Sequence, residues 1–187
     1  METLILTLDQ AGLPQAWVGI DEAITYHAKH AVAWSAGDRV CEYRGGVQRD
    51  GSRSCIATQS ILALRGANRA GQLLARAPAL TNAWLFARDR HVCAYCTARF
   101  RARELSCDHV MPVSKGGKHT WMNVVTACRG CNMRKADRTP EQAHMPLAYV
   151  PYTPNRYEHF ILRNRHILAD QMAFLLGGVP RTSRLHA

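Results

Sequence analysis

The sequence predicts an α+β chain in three parts: a small N-terminal α+β unit over residues 1–80, a cysteine-bracketed middle unit over 81–145, and a C-terminal helical extension over 146–187. Three observations lead there. Two Cys-x-x-Cys pairs, Cys93/Cys96 and Cys128/Cys131, bracket the middle of the chain. Short alternating and apolar runs, broken by Gly, Pro and Asp, fill the first part. Apolar residues at helical spacing mark the last part.

The elements follow in order. Thr3–Leu8 alternates polar and apolar residues and predicts a strand. Asp9, Gly12 and Pro14 make a turn, and residues 16–20 read as a second strand. Asp21 is placed to cap a helix running to Lys29, with one apolar face. Residues 31–34, 39–43 and 54–57 read as further strands, divided by Gly37-Asp38 and by residues 45–51. Residues 66–78 are rich in Ala, Arg and Gly and read as a linker. Thr81 can cap a helix over 82–90 that leads into the first cysteine pair. A short apolar run before Asp108 predicts a strand, and Pro112, Gly116 and Gly117 a loop. Order resumes at Trp121–Val125, and 132–138 reads as a helix, with another short one after Thr139. Beyond the prolines at 146, 151 and 154, residues 155–176 read as one or two helices closed by Gly177-Gly178. Their packing residues are Tyr157, Phe160, Ile161, Ile167, Leu168, Met172 and Leu175. That face is read as core, with a homodimer interface as the alternative.

The four paired cysteines carry the strongest chemistry. A Cys-x-x-Cys turn presents two thiolates to one ion, and two turns complete a closed tetrahedral zinc site. A closed site has no open position, so the zinc would be structural. The competing use is two disulfides or a redox pair. Met1-Glu2-Thr3 lacks a basic region followed by an apolar core, so the expected compartment is a reducing cytoplasm, where zinc is the better use of four thiols. Cys41 and Cys55 read as free thiols, and Cys107 as a small buried residue.

Inside the clamp the residue types change from soft to hard ligands. Asp108 and Asn132 offer a carboxylate and a carboxamide, which suit Mg²⁺ or Mn²⁺ with water retained. His109 offers an imidazole that can accept a proton from water. A strand, loop and helix folded back on one another would bring these three together.

The order of these motifs carries a resemblance. The first cysteine pair is followed by Asp108-His109-x-x-Pro112-x-Ser114-x-Gly116-Gly117. Then come Trp121-x-Asn123, Cys128-x-x-Cys131-Asn132-x-x-Lys135 and Thr139-Pro140-Glu141-x-Ala143. This pattern resembles the zinc-containing, four-cysteine branch of the HNH endonucleases, the ββα-metal nucleases of bacteria and phages, across Arg88–Ala143. The resemblance implies an α+β fold with a ββα-metal nuclease core and hydrolysis of DNA phosphodiesters to 5′-phosphate and 3′-hydroxyl ends. It implies that His109 is the general base and that Asn123 braces the loop carrying it. Asp108 and Asn132 would hold one catalytic Mg²⁺ or Mn²⁺, and Cys93, Cys96, Cys128 and Cys131 a structural Zn²⁺. The third motif position is usually His, so Asn132 makes this an H-N-N version. Lys135 either touches a phosphate or is a solvated helix charge.

Charge fits a nucleic-acid partner. The chain carries a net +10, and seven of those ten charges lie in Phe86–Thr139. Arg99, Arg101 and Arg103 alternate, so an extended strand would aim three guanidinium groups one way. Arg134 and Lys135, with Arg88, Arg90 and Arg138, would extend that surface, while His91 and His119 fall on no motif position and read as ordinary surface. No apolar run approaches the length of a membrane span. The nearly neutral N-terminal unit reads as a scaffold, with a DNA-positioning module as the alternative. A zinc-stabilised nucleic-acid-binding protein without catalysis is the alternative for the whole.

Overall fold

Burial on both faces shapes the first strand. Ile5, Leu6, Thr7 and Leu8 are all buried, so the alternation read in the sequence does not separate a wet face from a dry one. Leu6 and Leu8 pack with Ile61, Ala63, Phe160 and Leu175, while Ile5 packs with Val18, Ala23 and Leu62. Thr7 tolerates burial because its hydroxyl donates to Ala16 O at 3.0 Å. The computed structural model describes residues 3–66, 78–164, 166–181 and 183–186. It is a mixed α+β chain with five α-helices among the described residues. Most of the linker expected at 66–78 lies outside them.

The chain divides into two compact units, one of Met1–Arg76 with Arg156–Val179 and one of Ala77–Asn155 with Pro180–Ala187. The first unit holds a four-stranded sheet in the order β2-β1-β4-β3, formed by β1 (Ile5–Leu8), β2 (Pro14–Val18), β3 (Val32–Val47) and β4 (Arg53–Leu64). β1 is parallel to β4, and the other neighbours are antiparallel. The three strands expected at 31–34, 39–43 and 54–57 are therefore two long ones. Gly37 and Asp38 do not end β3. Gly37 takes φ +81° and the register shifts between Ala36 and Arg39, a bulge instead of a break. A side chain at Gly37 would collide with Ser60 and Asp170.

Helix α1 (Ile20–Ala28) starts earlier than Asp21 capping allows. Its N-cap is Gly19, with no side-chain cap. Asp21 and Glu22 sit in the first turn, where they favour the positive end of the helix dipole. Residues 155–176 form two helices. These are α4 (Arg156–Arg163) and α5 (Ala169–Gly177). Their apolar residues Tyr157, Phe160, Ile161, Ile167 and Leu175 join the first unit's core, so that face is core within the chain. Gln171, fully buried on α5, is satisfied by donating to Leu4 O and Ser60 O at 2.8 Å each.

His159 on α4 gives this unit a pH dependence. Burial first, then Arg163 and Arg156, hold its pKa below the ordinary histidine value. The folded unit thus favours neutral His159, while the unfolded chain takes up a proton near pH 6.5. Stability from this group is full above that pH and is lost as pH falls below it. The thermal midpoint should drop more steeply between about pH 7 and 5.5 in the parent protein than in His159→Gln. Equal slopes would contradict this.

The second unit is built around the cysteine pairs. Helix α2 (Asn82–Arg88) begins at Thr81, whose hydroxyl accepts from Trp84 N at 3.3 Å, as the sequence predicts. β5 (Leu105–His109) and β6 (Val124–Cys128) pair antiparallel, and α3 (Arg129–Lys135) follows β6 directly. α3 starts three residues ahead of the expected 132–138, because Cys128 is its N-cap and accepts from Cys131 N at 3.4 Å. After Thr139 the chain makes one turn, Ala143 N to Thr139 O at 2.9 Å, and no helix. His144 at φ 53° ends it.

Arg88 does not extend a basic surface. It is 1% exposed and locks this unit from inside. Its guanidinium bonds Asp89 Oδ1 at 2.8 Å, Trp121 O at 2.9 Å, Tyr152 O at 2.7 Å and Val124 O at 2.8 Å. Asp89 Oδ2 in turn accepts from Thr126 N at 2.8 Å on β6. A cation is tolerated there because its donors meet acceptors all round. Arg88→Ala would strand Asp89 as a buried unpaired charge and should cost about 3–5 kcal/mol. Denaturant unfolding checks this, and a loss below about 1 kcal/mol would contradict it.

Candidate metal centre and cleft

The first cysteine pair lies in a tight turn after α2. Cys93 N bonds Ala98 O at 3.0 Å, and Thr97, at φ 60°, bonds back to Cys93 O at 3.0 Å. Ala94 N donates to Thr126 O at 2.8 Å, which fastens this turn to β6. The second pair opens α3. The four sulfurs of Cys93, Cys96, Cys128 and Cys131 lie within 4.8 Å of one another. A tetrahedral zinc with Zn–S bonds of about 2.3 Å needs sulfurs about 3.8 Å apart, so the cluster fits that ion. Among the described residues no cysteine is in a disulfide.

The thiols themselves ask for a cation. Cys93 is buried, yet backbone amides, including those of Cys96, Cys128 and Tyr95, pull its pKa down. Burial, Cys128 and Cys93 push Cys131 up to about 12. Clustered thiolates repel one another, and a dication among them removes that conflict. Arg134 adds a donor to Cys131 Sγ at 3.7 Å and Tyr95 N one to Cys93 Sγ at 3.5 Å.

Asp108, His109, Asn132 and Lys135 line one cleft of about 320 Å³, with Cys107, Pro112, Val113 and Ser114. Asp108 and His109 come from β5, and Asn132 and Lys135 from α3. Asp108 is 5% exposed, and both its oxygens are engaged. Lys135 Nζ donates to Oδ1 at 2.9 Å, and the Tyr95 phenol donates to Oδ2. Asn132 Nδ2 donates to Ser106 Oγ at 2.9 Å, which leaves Oδ1 as the end able to face a cation. Two hard oxygen donors in one cleft suit Mg²⁺ or Mn²⁺ in type.

Lys135 is not the solvated helix charge that was one of its two expected roles. It is 1% exposed, and its ammonium also donates to His109 O at 2.8 Å. It is a buried partner of Asp108 that also lines the cleft. His119, read as ordinary surface, meets His109 instead, Nδ1 to Nε2 at 3.1 Å. Burial, His119 and Lys135 lower the His109 pKa and outweigh the opposing pull of Asp108. The neutral imidazole is therefore favoured.

Asn123 sits outside the cleft lining and holds the loop beyond β5. Its Oδ1 accepts from Met111 N at 2.9 Å, and its Nδ2 donates to Met111 O at 3.0 Å and Lys118 O at 2.9 Å. Gly117 belongs to the same loop, where a Cβ would strike Met111 O. Asn123→Ala removes all three bonds and should cost about 1–3 kcal/mol. A denaturant midpoint equal to the parent's would contradict that. Arg99, Arg101 and Arg103 are exposed, but they do not lie along one strand. Residues 102–104 form a 3₁₀ turn, closed by Arg101 N donating to Glu104 Oε2 at 3.1 Å. The alternation in sequence therefore does not aim the three side chains together.

The comparison with protein families falls on this same stretch. Residues 93–148 match the HNH endonuclease family. The match takes in both cysteine pairs, the cleft and the turn at Thr139–Ala143. This match suggests nuclease activity on nucleic acid for residues 93–148, and the four clustered cysteines could hold a zinc ion. No curated protein matches the chain.

Tyr95 and His119 are the site residues that sequence reasoning passed over. Tyr95 stands inside the first cysteine pair, yet nothing local ties it to Asp108. His119 lies ten residues from its partner, across a loop whose path the sequence does not give.

Proposed function

We propose that the HNH segment is a metal-dependent endonuclease domain of ββα-metal type that hydrolyses DNA phosphodiesters. The observation that carries the reading is one cleft shared by Asp108, His109 and Asn132, beside four clustered thiols. Structural Zn²⁺ on Cys93, Cys96, Cys128 and Cys131 fixes the ends of the stretch, and four reduced thiols suit a reducing compartment. Asp108 and Asn132 are the ligands for one Mg²⁺ or Mn²⁺. When bound, that ion supplies charge neutralisation at the phosphate and the leaving oxygen.

The chain's own groups do the rest. Neutral His109 accepts a proton from water, and the oxygen so freed forms a bond to phosphorus as the bond to the 3′ oxygen breaks. The departing 3′ oxygen takes a proton from solvent, leaving 3′-hydroxyl and 5′-phosphate ends. Asn123 keeps the 111–118 loop closed, so that His109 stays at the cleft. Arg99, Arg101, Arg103 and Arg134 supply positive charge for the DNA backbone, which makes binding salt-dependent.

One observation favours a second reading, a zinc-stabilised DNA-binding protein without catalysis. Asp108 is already satisfied by Tyr95 and Lys135 and does not need a metal. Plasmid incubated with zinc-loaded protein and Mg²⁺ or Mn²⁺ decides between them. Nicked or linear product that EDTA suppresses supports the nuclease. Salt-sensitive binding without any cleavage supports the binder and overturns the nuclease.

A further inference from the structure

Both donors that hold Asp108 come from elements started by a cysteine pair. Lys135 ends α3, the helix that Cys128 caps. Tyr95 lies between Cys93 and Cys96. It reaches two centres at once: its main-chain amide donates to Cys93 Sγ at 3.5 Å, and its phenol donates to Asp108 Oδ2. Asp108 is itself buried on β5, so its carboxylate orientation is set by these two donors and not by water.

We propose that Tyr95 is a positioning residue that couples the cysteine-bound zinc to the cation-holding carboxylate of Asp108. The inference rests on the reading that Asp108 and Asn132 hold a divalent cation. Lys135 and Tyr95 differ in what they do to such a cation. The ammonium brings a positive charge against one oxygen and competes with an incoming ion. The phenol is neutral, so it orients the second oxygen without that opposition. Hydrogen-bond partners behind a ligand fix its direction, and their loss commonly weakens metal affinity by about 10–100-fold.

The test measures Mn²⁺ binding by the zinc-loaded full chain without DNA, using the electron paramagnetic resonance signal of free Mn²⁺. The parent should bind one Mn²⁺, and Asp108→Asn should lose it. Tyr95→Phe should bind about tenfold more weakly, with zinc content unchanged. Tyr149→Phe is the control for general loosening. Its hydroxyl donates to Val92 O at 3.0 Å in the same unit and does not touch Asp108. That variant should bind Mn²⁺ as the parent does.

If the parent binds no Mn²⁺, or Asp108→Asn binds it equally well, the cation-site reading falls and this inference falls with it. If Asp108→Asn loses binding while Tyr95→Phe is unchanged or tighter, only the coupling is overturned. Equal weakening in both tyrosine variants also overturns it. Should Tyr95→Phe fail to fold, the parent labelled with ¹³Cζ-tyrosine answers the same question. The Tyr95 resonance should shift as Mg²⁺ fills the site, and a fixed resonance at saturating Mg²⁺ overturns the coupling.

Discussion

Stripping zinc from the full chain should unfold the stretch between the cysteine pairs. The apolar cluster at the clamp consists mostly of the ligands themselves: of Cys93, Ala127, Cys128, Cys131 and Met145, only Ala127 and Met145 are not ligands. The β5–β6 pair spans five residues per strand, and beyond the clamp it leans on the cluster of Leu85, Phe86, Leu105, Trp121 and Val124 and on the Arg88 network. Structural zinc contributes about 10–16 kcal/mol of apparent binding free energy at neutral pH, comparable to or above a small domain's whole stability. Hydrogen exchange after chelation should show lost protection at the amides of β5, β6 and α3. Cys93→Ser should lower both zinc content and thermal midpoint, while Cys41→Ser and Cys55→Ser should leave zinc content unchanged. A zinc-free protein that keeps full protection in those strands would contradict the structural role of the metal.

Replacing His109 should abolish cleavage without harming the fold. General base catalysis contributes about 10²–10⁴ in rate, so His109→Ala should lose at least about a hundredfold in single-turnover cleavage. The side chain is half-buried and meets the His119 ring. The structural bond at this position runs from Lys135 to the His109 carbonyl, which alanine retains. Zinc content and thermal midpoint should therefore match the parent. Cleavage by His109→Ala at the parental rate would end the assignment of the base.

The site was legible in the sequence where its information is local. Two residues between cysteines are enough to build a metal turn, and the hard donors stand at fixed distances from those turns. The four sulfurs accordingly cluster, and Asp108, His109 and Asn132 share a cleft. What failed was register and burial. The Cys128 thiol starts α3 three residues early, and Lys135 at the end of that helix is buried against Asp108. Arg88 reads as one more surface cation because the sequence does not show three distant carbonyls converging on it. Arg99, Arg101 and Arg103 alternate, but a 3₁₀ turn breaks the strand that would align them.

In the first unit, strand identity was legible and strand length was not. Gly37 looks like punctuation, yet a bulge lets β3 run through it. The return of residues 156–179 to that unit is a contact between segments far apart in the chain, and local periodicity carries no such signal. It also explains why every position of β1 is buried: α1 covers one face, and α4 with α5 the other.

The most direct measurement is a crystal structure of the zinc-loaded protein on duplex DNA with Mn²⁺, read by anomalous scattering at the zinc and manganese edges. A zinc peak should lie among Cys93, Cys96, Cys128 and Cys131, and a manganese peak between Asp108 and Asn132 at a phosphate, with His109 facing the scissile bond. A protein that cleaves DNA under the same conditions with manganese bound away from Asp108 and Asn132 would contradict the site described here.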